Sequence, residues 1–227
     1  MATYRSIIYM ALDELKLYSG DSDFTPDHLM FLAIKYRALL LDRKYRDVRK
    51  VEVPQSNYQT ICLDLEKVEA VPEQCYGGYY LKSTVKIPNL LKVGLHRVYP
   101  VDYLSSPLFT WVTPERFQFV GHNNWLGNII YITRGVDDYL YLKSSNPQLY
   151  YLKKLQLNAV FSEPEKAYNL RCDADSCDII DSEFPIEEEL VSTLVQMLVE
   201  ELSGAKYQPD DKDNNASDDL AGIPVKS

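Results

Sequence analysis

The spacing of apolar residues changes at Pro54–Asn57, and this change constrains the fold more than any other feature of the sequence. Before it, apolar residues recur every three or four positions, which is the spacing of a helix with one buried face. A first helix is therefore predicted over Tyr4–Tyr18, ending at Gly20. A second is predicted from Pro26 to about Lys44, with Thr25 at its N-cap. Two helices joined by a short loop predict an antiparallel helical hairpin.

After the boundary, apolar and polar residues alternate, as they do in strands with one buried face. The clearest unit is NIIYITRGVDDYLYLKSS, in which two alternating runs flank the loop Arg134–Asp138. Residues 88–114 carry several prolines and are expected to form a long irregular loop. No helix is predicted between residues 54 and 170, so we expect a small antiparallel barrel or sandwich. The predicted strands are Tyr58–Leu65, Tyr79–Ile87, Phe117–Val120, Ile129–Thr133, Tyr139–Lys143 and Leu152–Phe161.

A last helix is predicted to begin at Pro185 and to end at Ser203–Gly204. The run Glu187–Glu189 complements the positive end of its dipole. The polar, acidic composition of the final residues predicts an extended or disordered tail. The predicted class is therefore α+β, in which terminal helices flank a central antiparallel β-barrel or sandwich. Its parts are a helical hairpin (1–53), a β module (54–170), a closing helix that packs with the N-terminal helices (171–205) and an acidic tail (206–227).

The sequence contains no signature of an enzyme or cofactor site. It has no phosphate-binding loop, no dinucleotide fingerprint and no nucleophile elbow. None of its histidines, which are His28, His96 and His122, belongs to a zinc-protease motif. We therefore predict a protein that is not an enzyme and that uses no cofactor.

The cysteines are expected to be reduced thiols. The first five residues do not resemble a secretory signal, so we expect folding in a cytoplasm, where thiols stay reduced. Only Cys172 and Cys177 have the spacing of a zinc-ligand pair. A four-cysteine zinc site would need a second close pair, and Cys62 and Cys75 are too far apart in sequence to form one. No metal is predicted. No apolar run is long enough to span a bilayer, so no membrane contact is expected either.

Charge is distributed unevenly along the chain. The net charge is −9, yet residues 35–50 contain seven basic and two acidic residues, and residues 172–227 contain fifteen acidic and three basic ones. The basic segment could contact a nucleic-acid backbone, an acidic protein partner or only water. The acidity elsewhere favours a protein partner over nucleic acid. The chain also has 18 tyrosines, a residue type enriched in protein interfaces. The interface hypothesis comprises Arg43, Lys44, Arg46, Arg49, Lys50 and Tyr207.

Six segments together cover most of the chain and resemble one known family in the same order. They are YRSIIYMALDELKL, FLAIKYRALLL, SNYQTICLDLEKVE, NIIYITRGVDDYLYLKSSNPQ, CDIIDSEFPIEEELV and ELSGAKYQPDDKDNNASDDL. The chain thereby resembles the neck (head-to-tail connector) ring proteins of crAss-like bacteriophages. The resemblance implies a virion protein of the neck or tail that is assembled in the host cytoplasm. It implies a homo-oligomeric ring, expected to be a dodecamer, that contacts the portal and other ring proteins and meets DNA only in transit through its channel.

Two other functions compete with a ring subunit. A tail-associated module that binds carbohydrate or a receptor would use exposed aromatic residues such as Tyr103, Trp111 and Trp125. A hydrolase would need two carboxylates brought together by the fold, which no sequence pattern supports. A closed ring uses head-to-tail contacts, so its two contact patches differ. If the basic segment pairs with the acidic C-terminal region of a neighbour, reversing the charge of Arg43, Lys44 and Arg46 is expected to weaken assembly at low salt.

Overall fold

Three helices form one end of the protein. The computed structural model describes residues 2–18, 24–46, 52–69, 79–93, 96–101, 108–172 and 178–203. The long helices are α1 (Tyr4–Tyr18), α2 (Pro26–Tyr45) and α5 (Glu188–Ser203). The first two are confirmed, and α5 begins three residues later than predicted. Two short helices, α3 (Pro114–Phe117) and α4 (Pro164–Tyr168), interrupt the middle region, where none was predicted.

The three long helices share one apolar core. α5 packs against both α1 and α2, and Phe184, just before α5, meets the Tyr4 ring edge-on at 4.7 Å. Each fully buried leucine in such a core contributes about 1.5–3 kcal/mol relative to an exposed one. The buried set includes Ile7, Ala11, Leu15, Leu29, Ala33, Leu194 and Leu198.

Seven strands form a nearly closed, barrel-like sheet in the order β3-β7-β1-β2-β6-β5-β4. The long strand β1 joins its two halves, because residues 59–64 pair with β7 and residues 65–69 pair with β2. Inward-facing residues on alternate positions form a second apolar core, which includes Ile61, Leu63, Leu81, Ile132, Leu142, Leu155 and Leu157. The strands are β1 (Gln59–Glu69), β2 (Tyr79–Ser83), β3 (Arg97–Pro100), β4 (Leu108–Trp111), β5 (Ile129–Arg134), β6 (Leu140–Lys143) and β7 (Lys154–Ala159).

A side-chain contact joins the two edge strands. The indole N–H of Trp111 on β4 donates a hydrogen bond of 3.0 Å to the carbonyl oxygen of His96, which precedes β3. The two rings also meet edge-on at 5.8 Å. Side chains therefore connect the sheet edges where backbone pairing ends.

The predicted class, α+β with terminal helices around a barrel-like sheet, is confirmed, and three details of the sheet were predicted wrongly. The pair β4–β5 is parallel, whereas every other strand pair in the described sheet is antiparallel. β3 and β4 lie inside residues 88–114, which were predicted to be irregular. The predicted strand Phe117–Val120 is instead the end of α3 and a turn, since Pro114 at the first helical position starts a helix there.

The β5–β6 hairpin is confirmed, and its loop, residues 135–139, lies one residue later than predicted. Gly135 donates its backbone N–H to the carbonyl oxygen of Tyr139 at 2.9 Å. A Cβ at Gly135 would lie 2.5 Å from Cε2 of Tyr141, so only glycine fits this position without a shift. Asp138 adopts a φ of 68°, a conformation that aspartate tolerates better than most residues.

Arg37 on α2 ties the helices to the sheet. It is fully buried, and its guanidinium donates hydrogen bonds to the carbonyl oxygens of Pro185 (2.6 Å), Phe161 (2.7 Å) and Asn57 (3.3 Å). These acceptors precede α5, follow β7 and precede β1, respectively. Burial lowers the pKa of Arg37 to about 10, so the group remains charged at neutral pH.

Cys62 and Cys172 form a disulfide, so the prediction that the cysteines are reduced is wrong for this pair. Cys172 is therefore not available to bind zinc together with Cys177. The two half-cystines are 110 residues apart in sequence, but their Cα atoms are 5.0 Å apart. The backbone N–H of Cys62 also donates to the carbonyl oxygen of Leu170 at 2.8 Å. The disulfide therefore holds the segment after α4 against β1. Cys75 and Cys177 lie outside the described residues.

We expect Arg37→Met to lower the free energy of unfolding by about 3–5 kcal/mol, because three buried carbonyl oxygens lose their donor. Chemical denaturation followed by circular dichroism measures the change. The matched control is Lys35→Met, at an exposed position of the same helix, where a change within about 0.5 kcal/mol is expected. Equal effects of the two substitutions would contradict the role given to Arg37.

We expect a reductant to lower the free energy of unfolding by about 2–4 kcal/mol, because the Cys62–Cys172 disulfide closes a long loop in the unfolded chain. The measurement is denaturation with and without dithiothreitol. A Cys62→Ser/Cys172→Ser variant should show no response to the reductant. Alkylation of both thiols in the native protein without a reductant would show that the disulfide is absent.

Candidate protein interface

The basic residues at the end of α2 point in different directions. Lys44 pairs within the subunit, where its Nζ lies 2.9 Å from Oε1 of Glu187 and 3.7 Å from Oε2 of Glu189. Its partners belong to the first part of the acidic C-terminal region of the same chain. One contact between the basic and acidic regions is therefore made within the subunit.

Tyr45 and Glu187 complete this cluster within the subunit. The Tyr45 hydroxyl donates a 2.7 Å hydrogen bond to Oε1 of Glu187, and the tyrosine is 1% exposed. Burial, followed by the adjacent Glu187 carboxylate, raises the pKa of Tyr45 to about 12. The backbone N–H of Glu187 donates to Oδ1 of Asn57 at 3.1 Å. The end of α2, the start of α5 and the entry to β1 thus meet in one polar cluster.

Arg43 and Arg46 instead point to solvent. Arg46 has only a 3.7 Å ion pair with Asp42 on its own helix, and Arg43 forms no ion pair with any described residue. Arg49, Lys50 and Tyr207, the other members of the predicted interface, lie outside the described residues. The predicted set is therefore split between an internal cluster and an exposed surface, and its role in an interface stays a prediction.

The outer side of α2 carries an open apolar groove, called the α2 groove below. Its cavity is about 570 Å³. Phe31 stands at its rim, 63% exposed, and exposed Lys35 lies one helical turn further along the same face. Met30, Ile34 and Ala38 of α2 form an apolar wall. The opposite wall is polar and charged and consists of Ser162, Glu163, Glu165 and Lys166.

A second set of exposed apolar side chains lies on the β module, and it is called the β5 set below. Its members are Leu108, Phe119, Trp125 and Leu126. Trp125 is 95% exposed, and Leu108 pairs with the first residue of β5. Of the two described aromatic residues predicted for a carbohydrate site, Trp125 is the one presented to solvent. Trp111 is half-buried at the joined sheet edges, and Tyr103 lies outside the described residues.

The described residues contain no arrangement typical of catalysis. Burial lowers the pKa of His96, whose ring packs on Trp111. His122 lies in an exposed turn, with Nε2 3.1 Å from Nζ of Lys143, and His28 is exposed on the first turn of α2. No group of three or more metal-ligating side chains occurs within this part of the chain. None of its helices is long and apolar enough to cross a membrane.

Sequence reasoning missed the α2 groove because half of it comes from a distant segment. Phe31 at an outward helical position was the available signal, since a large apolar residue there has no core to face. The wall formed by residues 162–166 depends on tertiary packing. The ion pair of Lys44 with Glu187 was equally hidden, because it depends on where α5 begins.

Comparisons with known proteins agree over nearly the whole chain. The model of a family described as phage tail ring protein 2 matches residues 6–220. Ring protein 2 of Bacteroides phage crAss001 is 46% identical to the chain over 222 residues, covering 96% of this chain and 98% of that protein.

We expect Tyr45→Phe to destabilise the protein at pH 7 by about 1.5–3 kcal/mol, the usual contribution of a hydrogen bond to a charged group. The pKa of Tyr45 is raised from its usual 10 to about 12, so the hydroxyl stabilises the fold fully below pH 10 and loses that contribution as the pH rises through 12. The difference in unfolding free energy between wild type and variant should therefore shrink from pH 9 towards pH 11. A difference that stays constant or grows would contradict the assignment.

Proposed function

We propose that copies of this chain, which belongs to the phage tail ring protein 2 family, form a closed homo-oligomeric ring. The ring would be part of the head-to-tail connector of a phage. Family membership makes the chain a structural ring protein of a virion. The finer proposal is a ring, expected to be a dodecamer, that lies below the portal and joins it to the tail. Assembly takes place in the cytoplasm of the bacterial host.

The observation that carries this proposal, beside the family, is the presence of exposed apolar side chains in two unlike places. The α2 groove lies between a helix and the segment after β7, whereas the β5 set lies on the β module. A ring closes through head-to-tail contacts, in which a patch on one side of a subunit meets a different patch on the next. Two unlike surfaces are what such a contact requires.

The charge of the chain suits a channel for DNA. With a net charge of −9, the protein as a whole repels a phosphate backbone. A ring lined by acidic residues would let DNA pass without holding it, in line with DNA as a transient partner. The role is structural, and no cofactor is proposed.

A second candidate function rests on Trp125. A tryptophan that is 95% exposed could stack on a sugar ring, as expected of a module that recognises carbohydrate or a receptor. A glycan array with the wild type and with Trp125→Ala separates the two functions. Binding that the substitution abolishes would favour the receptor module, and an array without hits would favour the ring.

We expect the purified protein to form a closed ring, alone or on the portal of the same phage. Native mass spectrometry gives the number of copies, and particle imaging shows whether the ring sits coaxially on the portal. The portal of an unrelated phage serves as the control and should recruit no ring. A monodisperse monomer that ignores its own portal would contradict the proposal.

A further inference from the structure

We propose that the pair Cys62 and Cys172 is a redox switch, which is reduced while subunits assemble in the host cytoplasm and is oxidised to the disulfide after release. The oxidant is a low-molecular-weight disulfide outside the cell. The disulfide in the structure then corresponds to the released particle. This inference rests on the proposed function, in which the ring is assembled inside the host and acts in a virion.

The two compartments differ in their thiol chemistry. A cytoplasm keeps protein thiols reduced through glutathione and thioredoxin, whereas disulfides form and persist outside the cell. A virion protein that is made in the first compartment and acts in the second meets both conditions in turn. A cysteine pair that can be oxidised in the folded protein would therefore change state once, on release.

Both cysteines lie on the outside of the sheet, where small molecules can reach them. Ile61 and Leu63 face the core of the sheet, so Cys62 between them faces outward. Cys62 is half-buried opposite Gln156 of β7, and the side-chain amide of Gln156 donates to Sγ of Cys172 at 3.5 Å. Cys172 itself is exposed. Since neither cysteine is part of the apolar core, the bond can form and open without unfolding.

Hydrogen bonds and packing position Cys172 beside Cys62 independently of the disulfide. The backbone N–H of Cys62 donates to the carbonyl oxygen of Leu170 at 2.8 Å, and the Leu170 side chain packs on the core of the sheet. The side-chain amide of Gln59 donates to the carbonyl oxygen of Pro164 at 3.1 Å. These contacts hold the segment against β1 at both ends. The reduced cysteines are therefore expected to stay as close as the disulfide requires.

Two further contacts fix the residues just before Cys172. Ala167 of α4 is fully buried in the core of the sheet. Cζ of Arg171 lies 3.5 Å from the centroid of the Tyr168 ring. Neither contact involves a sulfur atom, so reduction of the disulfide leaves both in place.

The oxidation proceeds as two exchange reactions that begin at the exposed cysteine. The thiolate of Cys172 attacks one sulfur of the small disulfide, which gives a mixed disulfide and releases one small thiolate. The thiolate of Cys62 then attacks Sγ of Cys172, which closes the protein disulfide and releases the second small thiolate. The two protein thiols lose two protons and two electrons, and the small disulfide becomes two thiols.

Oxidation fixes the connection between the sheet and the closing helix. After β7 the chain passes through α4 and Cys172 and reaches Pro185, whose carbonyl oxygen accepts from Arg37. Cys172 lies in the middle of this connection, and the disulfide attaches it to β1. The released subunit should therefore unfold less readily than the subunit that assembles, with the same fold.

Trapping of thiols in cells tests the reduced state. The full-length chain with Cys75→Ser and Cys177→Ser leaves only the proposed pair to react. Cells that express it are quenched with acid and treated with iodoacetamide, and mass spectrometry examines the peptides that contain Cys62 and Cys172. We expect both cysteines to be alkylated. A disulfide already present in the cytoplasm would overturn the inference.

Exchange in the native protein tests the oxidised state. Reduced protein is mixed with oxidised glutathione in the absence of denaturant. Both cysteines should become protected from iodoacetamide while the circular dichroism spectrum stays the same, and the equilibrium constant for unfolding should fall by about 30- to 800-fold. Oxidation that requires denaturant, or wild type that stops at a mixed disulfide with glutathione, would contradict the switch.

The matched control for this exchange is Cys62→Ser. Cys172 in this variant should form the mixed disulfide with glutathione and remain in that state, because the second thiolate is missing. Its equilibrium constant for unfolding should not fall as it does in wild type. An equal fall in the variant would show that the gain in stability does not come from the Cys62–Cys172 bond.

The switch and the ring fail in different ways. If rings form on the portal but the pair is already oxidised in the cytoplasm, the switch is wrong and the ring stands. Rings that form only from oxidised protein would also overturn the switch, because assembly precedes oxidation in it. If the pair is reduced in cells and closes with oxidised glutathione, but neither state forms a ring, the proposed function fails and the switch remains a property of the subunit.

Discussion

The buried guanidinium of Arg37 is the constraint on which the arrangement of helices and sheet depends. Its donors point in fixed directions within one plane, so three carbonyl acceptors must come to defined places around it. Those acceptors lie before β1, after β7 and before α5. One side chain of α2 therefore sets where the chain enters the sheet, where it leaves the sheet and where it returns to the helices.

A second polar contact on the same stripe of α2 reinforces the first. Tyr45 lies two helical turns beyond Arg37, and Leu41 lies fully buried between them. Through Glu187, Tyr45 reaches the same Asn57 whose carbonyl oxygen accepts from Arg37. The basic segment looks uniform in the sequence, but the helix directs its basic side chains to different surroundings. Lys44 pairs with Glu187 of its own subunit, whereas Arg43 forms no ion pair with a described residue.

Periodicity predicted the elements that bury one regular face, and it failed where contacts between distant segments decide the structure. α1, α2 and the β5–β6 hairpin follow from local spacing and turn chemistry. β3 and β4 are only four residues each, within a proline-rich segment, and become strands because β7 and β5 offer them partners. The Cys62–Cys172 pairing spans 110 positions, and no local pattern reveals it. The basic residues of the candidate interface could be identified from the sequence. The α2 groove could be identified only from the three-dimensional fold.

The contact between Trp111 and His96 has a consequence for how copies of this chain can associate. Free sheet edges offer rows of unpaired backbone groups, and an identical chain can add to them without limit. Here both edge strands are short, and a side-chain hydrogen bond ties them to each other. Growth by strand addition, which has no natural end point and leads to fibres, is disfavoured at this site. Copies can still associate through helix faces and loops. Contacts of that kind fix the angle between neighbouring subunits, so the assembly can close at a set number of copies.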